Sequence, residues 1–282
     1  MPDKRLILVL GDQLSLENPA IKAASPGDDV VVLAEVAEEA TYVRHNRHKI
    51  ALIFAAMRHF AERLRNNGFE VIYHRYSDGI PSLAAAVTAA LADSGADSVL
   101  VCEPGEYRLK EAMAGWPERL GVVVDVLDDS RFLASHDDFA EWAEGRKQLR
   151  MEYFYREMRK RYGVLLEPDG KPAGDKWNYD SENRKGWRAQ VDVPERPDPG
   201  IDAITREVID EVEDAFPDNP GDLSQFCYAV TPEAAQAQFD WFCDNALPLF
   251  GTYQDGLAEE SPWLFHALIS ICLLYTSPSP RD

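Results

Sequence analysis

Five short runs of β-branched and aliphatic residues, Leu6–Leu10, Val30–Leu33, Glu70–Tyr73, Ser98–Cys102 and Val122–Leu127, punctuate the first 130 residues. Each reads as a buried strand. Between them lie segments of helical period, clearest in Ile50, Ile53, Met57, Phe60 and Leu64, which puts one apolar stripe on a helix. Asn66-Asn67-Gly68 is a C-cap sequence for that helix, and the Ala-rich Leu83–Leu91 reads as another. Strands alternating with helices are the signature of an α/β fold with a doubly wound parallel sheet, Rossmann-like in arrangement.

Beyond the sheet, Trp142, Met151, Phe154, Met158 and Tyr162 recur at helical spacing and predict one long helix from about Asp138 to Tyr162. Pro, Gly, Asp and Asn crowd the stretch 168–200, which reads as an irregular connector. Helical stretches are expected near 203–215, 232–246 and 261–274. The expected organisation is an α/β domain over 1–133, a helix and connector over 134–200, and the start of an all-helical domain over 201–270. The apolar run Trp263–Leu274 passes directly into Thr276-Ser277-Pro278-Ser279-Pro280. About 80 residues make a thin helical domain with little to bury its last apolar face, so a truncation is expected, with 271–282 a foreign tail.

Charge narrows the function. Lys+Arg 29 against Asp+Glu 49 gives a formal net charge of -20, which disfavours a general binder of nucleic acid or anionic membrane. The strongest local exception is Arg146 to Tyr162, where seven basic side chains stand against Glu152 and Glu157, interleaved with Tyr153, Phe154, Tyr155 and Tyr162. That segment is open to two readings, a solvated helix face or a phosphate-backbone contact. A second basic run, Arg44 to Lys49, opens the Ile50 helix and is either structural or an approach for an anion. The four cysteines, 102, 227, 243 and 272, lack zinc or iron–sulfur spacing. Nothing in the first residues directs export or spans a membrane, so a reduced, cytoplasmic, monomeric protein is expected.

In an open parallel sheet, ligands sit beyond the carboxyl ends of the strands. There stand Gly11-Asp12-Gln13-Leu14, the stretch Glu35 to Tyr42 with Glu39, then Glu103-Pro104-Gly105-Glu106-Tyr107-Arg108, and Asp128 to Phe132. Several carboxylates on one edge suit a ligand rich in N–H or O–H donors, such as a pterin, lumazine or flavin-like ring, and repel a bare triphosphate. GxGxxG and GxxxxGK[ST] are both absent. Asp12 reads equally as a turn and helix cap, whereas Glu39 and Tyr42 read more readily as surface helix residues than as ligand contacts. His59 reads as packing. His266 and Ser270, in an apolar helix, are core groups or cofactor contacts, which spacing does not separate. No arrangement of a nucleophile with its base is present.

Taken together, Leu8-Val9-Leu10-Gly11-Asp12-Gln13-Leu14, Glu39-Ala40-Thr41-Tyr42-Val43, Ala56-Met57-Arg58-His59-Phe60-Ala61, Glu103-Pro104-Gly105-Glu106-Tyr107-Arg108 and Met151-Glu152-Tyr153-Phe154-Tyr155-Arg156-Glu157-Met158-Arg159 resemble the photolyase-related branch of the cryptochrome/photolyase family, which includes bacterial iron–sulfur (6-4) photolyases. Lys176-Trp177-Asn178-Tyr179-Asp180 and Phe216-Pro217-Asp218-Asn219 extend the resemblance to about residue 270. It implies an N-terminal domain holding a lumazine-type antenna chromophore and a helical domain that binds FAD and faces damaged DNA. Antenna contacts would fall on Asp12, Glu39, Tyr42 and Ile53, with Ala34 a departure where relatives can place Cys. His266 and Ser270 would be the first edge of the flavin phosphate site, and Arg156, Arg159 and Arg161 would meet DNA. The implied activity is light-driven repair of pyrimidine dimers, (6-4) photoproducts foremost. The ligands of the family's 4Fe–4S cluster and the lesion-facing histidines would lie beyond this chain, leaving it alone inactive. A cryptochrome-like photoreceptor and a stand-alone small-molecule-binding module are the alternatives.

Overall fold

The computed structural model describes residues 4–179, 181, 182, 195 and 197–253. Two compact units divide them. The first holds the residues up to Asp129 together with 197–241; the second holds 130–182, 195 and 242–253.

In the first unit, β1 (Arg5–Leu8), β2 (Val30–Ala34), β3 (Glu70–His74), β4 (Ser98–Cys102) and β5 (Val123–Leu127) form one parallel sheet in the order β3-β2-β1-β4-β5. Leu6 pairs with both Val30 and Val99, which sets the central register. The chain winds outward from β1 to β3, then returns to the other side of β1 for β4 and β5. That reversal opens a crevice at the carboxyl ends of β1 and β4. The doubly wound α/β fold is therefore present as expected.

Alternate side chains of the central strands feed two cores. Leu6, Leu8, Val30, Val32, Val99 and Val101 pack on the helix Leu83–Ser94, with Met113 and Trp116 beyond it. Ile7, Val9, Val31 and Leu33 pack on Met57, Phe60, Ala61 and Leu64 of the helix Arg47–Asn66. The intervening helices are α1 (Pro19–Ala23), α2 (Ala37–Thr41), α3 (Arg47–Asn66), α4 (Leu83–Ser94), α5 (Tyr107–Ala114) and α6 (Trp116–Leu120). Asn46 caps α3 by accepting from His48 N at 2.8 Å, and the helix stops at Asn67, with Gly68 at φ +85°. The opposite face of α3 is also buried. Ile50, Ala51, Phe54 and Ala55 meet Val208, Ile209, Val212 and Phe216 of a helix far along the chain, Ala203–Ala215.

A buried ion pair sits between these layers. Glu35, fully buried after β2, accepts two hydrogen bonds from Arg58 of α3, at 2.8 and 3.0 Å. It also accepts from Tyr73 Oη at 2.5 Å and from Tyr76 N at 2.9 Å. Arg58 donates onward to Glu211, which with Glu207 also pairs with Arg75. Burial works against the Arg58 charge, but Glu35 and Glu211 outweigh it and hold the guanidinium firmly protonated. Burial, with the adjacent Glu35 carboxylate, pushes the Tyr73 hydroxyl far above its ordinary range.

Two expectations need correction. The outer strands are not buried on both faces: β3 is half-exposed, and in β5 Val123 is 61% exposed. Both are sheet edges, paired on one side only and covered less completely. The predicted long helix is two, α7 (His136–Ala143) and α8 (Met151–Tyr162), both in the second unit. Gly145 adopts φ +70°, a left-handed conformation that ends the helix, and Arg146 Nε donates to the Trp142 carbonyl there. The periodicity persists across the break because Phe139, Trp142 and Phe154 join one aromatic cluster, with ring centroids 5.0–5.6 Å apart.

Later elements are α9 (Ala203–Ala215), α10 (Pro232–Trp241), a π-helical turn over Phe242–Ala246 and α11 (Leu247–Tyr253). The stretch 261–274 and the proposed tail lie outside the described residues. Because Glu35 has no second cation within the pair, Arg58→Met leaves a buried unpaired carboxylate, and urea denaturation should show a stability loss of about 3–5 kcal/mol. Glu35→Gln with Arg58→Met should recover part of it.

Candidate functional site

The carboxyl ends of β1, β2 and β4 surround a cleft of about 1220 Å³. Its walls include Gly11 and Asp12 after β1, Ala34 at the end of β2 and Glu39 after it, Pro104 to Glu106 after β4, and Ile50, Ile53 and Met57 of α3. The strand ends are stitched together by Gln13, fully buried, whose Nε2 donates to the carbonyls of Cys102 and Glu103 at 3.3 and 2.9 Å. Gly11 lets the β1 turn press onto α3. A Cβ there would meet Ile53 Cγ2 at 2.9 Å and Met57 Sδ at 3.2 Å.

All four candidates on the sheet edge, Asp12, Glu39, Tyr42 and Ile53, line this one cleft. Other members of the edge are committed elsewhere. Glu35 touches the cleft but spends its oxygens on Arg58, Tyr73 and the Tyr76 amide, and Glu103 is paired with Lys110. The acidic edge is thus less available than its residue types imply.

Glu39 is held by one cation. Arg108 Nη2 donates to Glu39 Oε2 at 2.7 Å, and the same guanidinium reaches Glu106 at 3.2 Å and lies 4.6 Å above the Tyr42 ring. Glu39 Oε1 is shut off from solvent and has no hydrogen-bond partner among the described residues. Burial pushes the Glu39 carboxyl above the usual carboxylate range, with Arg108 opposing the shift. Tyr42 also meets the His45 ring edge-on at 4.9 Å. Burial and then Lys49 push the His45 imidazole below its ordinary range, so it is neutral at pH 7. The wall therefore offers an aromatic face, acceptors and an apolar floor, which fits a flat heterocycle bearing N–H or O–H groups.

Tyr228 lines the cleft without having been marked by the sequence, His45 lines it from the basic run, and Arg108 stands behind the wall rather than in its lining. Arg108 ends the Glu103–Arg108 segment, but its link to Glu39 spans 69 positions and leaves no local signal. The basic run before α3 is largely structural. Arg47 Nε donates to the Gly221 carbonyl at 2.8 Å, and His48 Nε2 contacts the Asp222 carbonyl at 2.6 Å. Lys49 alone of its three lysines and arginines lines the cleft. His59, expected as packing, pairs with Asp202 at 2.8 Å.

In the second unit, the basic helix α8 is partly internal. Arg159 is buried and donates to the carbonyls of Val164 and Leu165, while Arg156 pairs with Glu152 and Arg161 with Asp138. Arg156, Arg159 and Lys160 also surround Trp177 at 5.6, 4.9 and 5.7 Å. His266 and Ser270 lie outside the described residues. Among the described residues no three His, Cys, Asp or Glu side chains converge as a metal site, and Cys102, Cys227 and Cys243 are free thiols. No described helix is long and apolar enough to cross a membrane.

Residues 7–228, most of the sheet unit and all of the cleft, match the family model described as deoxyribodipyrimidine photo-lyase-related protein. The chain belongs to this photolyase-related family. Among curated relatives, it is 45% identical over 268 residues to a protein of Agrobacterium fabrum named (6-4) photolyase, covering 94% of this chain and 53% of that protein. An uncharacterised protein of Acanthamoeba polyphaga mimivirus is 24% identical over 165 residues, 56% of this chain and 82% of the relative. The chain spans about half the length of the Agrobacterium relative. Every residue of the cleft thus falls inside the photolyase-related match.

The close approach at Gly11 is testable. Gly11→Ala should lower stability by about 1–3 kcal/mol through overpacking against α3, and Ile53→Ala in the same chain should restore part of the loss in thermal denaturation.

Proposed function

We propose that this chain is the antenna-bearing part of a light-driven DNA photolyase of the (6-4) iron–sulfur type, with a lumazine-class chromophore in the cleft. The observation that carries the reading is the convergence of Asp12, Glu39, Tyr42 and Ile53 on one cleft in a photolyase-related chain. The name of the Agrobacterium relative supports the (6-4) activity. In this reading the lesion-bearing DNA and FAD are partners of the whole protein, His266 and Ser270 contribute to the flavin site, and a 4Fe–4S cluster is held by residues outside this chain.

When both chromophores are bound, the chemistry supplied is light absorption at the antenna, energy transfer to reduced FAD, and electron transfer to a pyrimidine dimer flipped from the duplex. The residues of this chain bind and orient. Ile50, Ile53 and Met57 form an apolar floor that excludes water, Tyr42 presents a ring face, and the Asp12 and Glu39 carboxylates accept from ring or side-chain donors. Ala34, which lines the cleft where relatives can carry Cys, offers the ring no thiol.

Fluorescence titration of the purified chain with 6,7-dimethyl-8-ribityllumazine tests the antenna. Wild type should bind, and Glu39→Ala should bind roughly tenfold more weakly, the loss expected for one charge-assisted hydrogen bond. Binding should fade on acidification, because protonation removes the Glu39 acceptor. The raised carboxyl pKa places that loss at a higher pH than for an ordinary glutamate near about 4.3. Absence of binding in wild type would reject the lumazine assignment.

The DNA contact is proposed for α8 and is tested in the complete protein. Arg156→Ala and Arg161→Ala should each reduce the salt dependence of DNA affinity by about one ion. Arg159→Ala should instead lower stability, since Arg159 caps backbone carbonyls. Unchanged affinity and salt dependence in the first two variants would make α8 a structural face only.

A further inference from the structure

The wall of the cleft that carries Glu39 and Tyr42 is built on a short helix. Helix α2 has five residues, its cap Val36 makes no side-chain bond to it, and Tyr42 and Val43 after it are about half exposed. An isolated helix this short does not persist on its own hydrogen bonds. Its first turn is held by backbone hydrogen bonds from Ala37 N to the Ile80 carbonyl and from Glu38 N to the Pro81 carbonyl, and Arg108 reaches its Glu39–Tyr42 end from the opposite side of the crevice. Arg108 of α5 pairs with Glu39 at 2.7 Å, approaches Glu38 at 3.9 Å, covers the Tyr42 ring at 4.6 Å and is itself anchored by Glu106. Three carboxylates and an aromatic face on one planar guanidinium make a clamp that a lysine does not reproduce.

We infer that Arg108 is the positioning residue of the cleft, pinning the Glu39–Tyr42 wall across the crevice. It lies outside the cleft lining and acts through Glu39 and Tyr42 rather than by touching a ligand. The inference rests on the proposed chromophore site for its consequence, but its geometry stands without a ligand. The charged and titratable groups around Glu39 are Glu38 on its own helix, Arg108 and Glu106 on the α5 side, and His45 before α3, with Lys49 beyond His45. Arg108 is the cation that contacts Glu39. Burial and the two neighbouring glutamates all favour its protonated form.

The test uses the full chain with ¹³C-labelled glutamate, the Glu39 carboxyl signal being assigned by its loss in Glu39→Gln. In Arg108→Met the Glu39 titration midpoint should rise by about one unit or more, the effect of removing an opposite charge in contact. Arg108→Lys should restore most of that midpoint while the Tyr42 ring resonances remain displaced, because the point charge returns and the planar stack does not. In a parallel titration with 6,7-dimethyl-8-ribityllumazine, Arg108→Met should bind roughly tenfold more weakly at neutral pH, with its pH profile moved upward in step with Glu39. A Glu39 midpoint and Tyr42 signals unmoved in Arg108→Met would overturn the inference. If wild type does not bind the lumazine, the chromophore assignment fails, and the carboxyl titration alone still decides the role of Arg108.

Discussion

The Glu35–Arg58 pair is the interaction on which the sheet unit depends. Its carboxylate terminates β2, its guanidinium belongs to α3, a third member comes from β3, and a fourth from α9, more than 150 positions away from Arg58. Two ions this deeply buried are expensive to dehydrate, and hydrophobic residues of similar volume often stabilise as well. What the pair supplies is geometry. A bidentate fork with two further donors on the same carboxylate tolerates one relative placement of the three elements. That placement sets where α3 crosses the carboxyl end of the sheet, and hence where Ile50, Ile53 and Met57 stand beneath the crevice.

The cleft follows from this arrangement and from the winding order. Reversal of direction at β1 separates the connections that leave β1 and β4, and α3 closes the floor. Two arginines then divide the electrostatics. Arg58 neutralises Glu35 inside the structure, and Arg108 holds Glu39 at the rim. An edge that carries many acidic residues in the sequence retains few carboxylate oxygens without a cation, which suits a neutral donor-rich ring better than the net charge of the chain suggests.

Much of this was legible in the sequence because it depends on local pattern. Ile53, Met57, Phe60 and Leu64 of the predicted stripe identified the sheet-facing side of α3, whereas Ile50 turns to α9, and the apolar runs gave five strands to within one or two residues. The strand-end rule brought Asp12 and Glu39 to the same edge. What escaped has a non-local cause. Burial of β3 and β5 depends on strand order, which composition does not encode, and helical spacing continued through Gly145 because Phe154 packs on the cluster of the preceding helix. Likewise, Arg108 and Glu39 are joined only by the fold, and Arg58 resembles any other helix arginine until Glu35 and Glu211 are placed beside it.

Helix α3 is buried on two sides by segments made at different times. The sheet half is complete by residue 129, but the partner of the outer face, Val208 to Phe216, follows almost 90 residues later. At synthesis rates of roughly 5–20 residues per second, Ile50, Ala51, Phe54 and Ala55 stand uncovered on a nascent sheet for about 4–17 seconds. Beside them Arg58 has Glu35 but not yet Glu211. The nascent chain therefore carries an apolar stripe beside an ion pair that still lacks its second carboxylate, and a slower or faster message would expose that stripe for a different time.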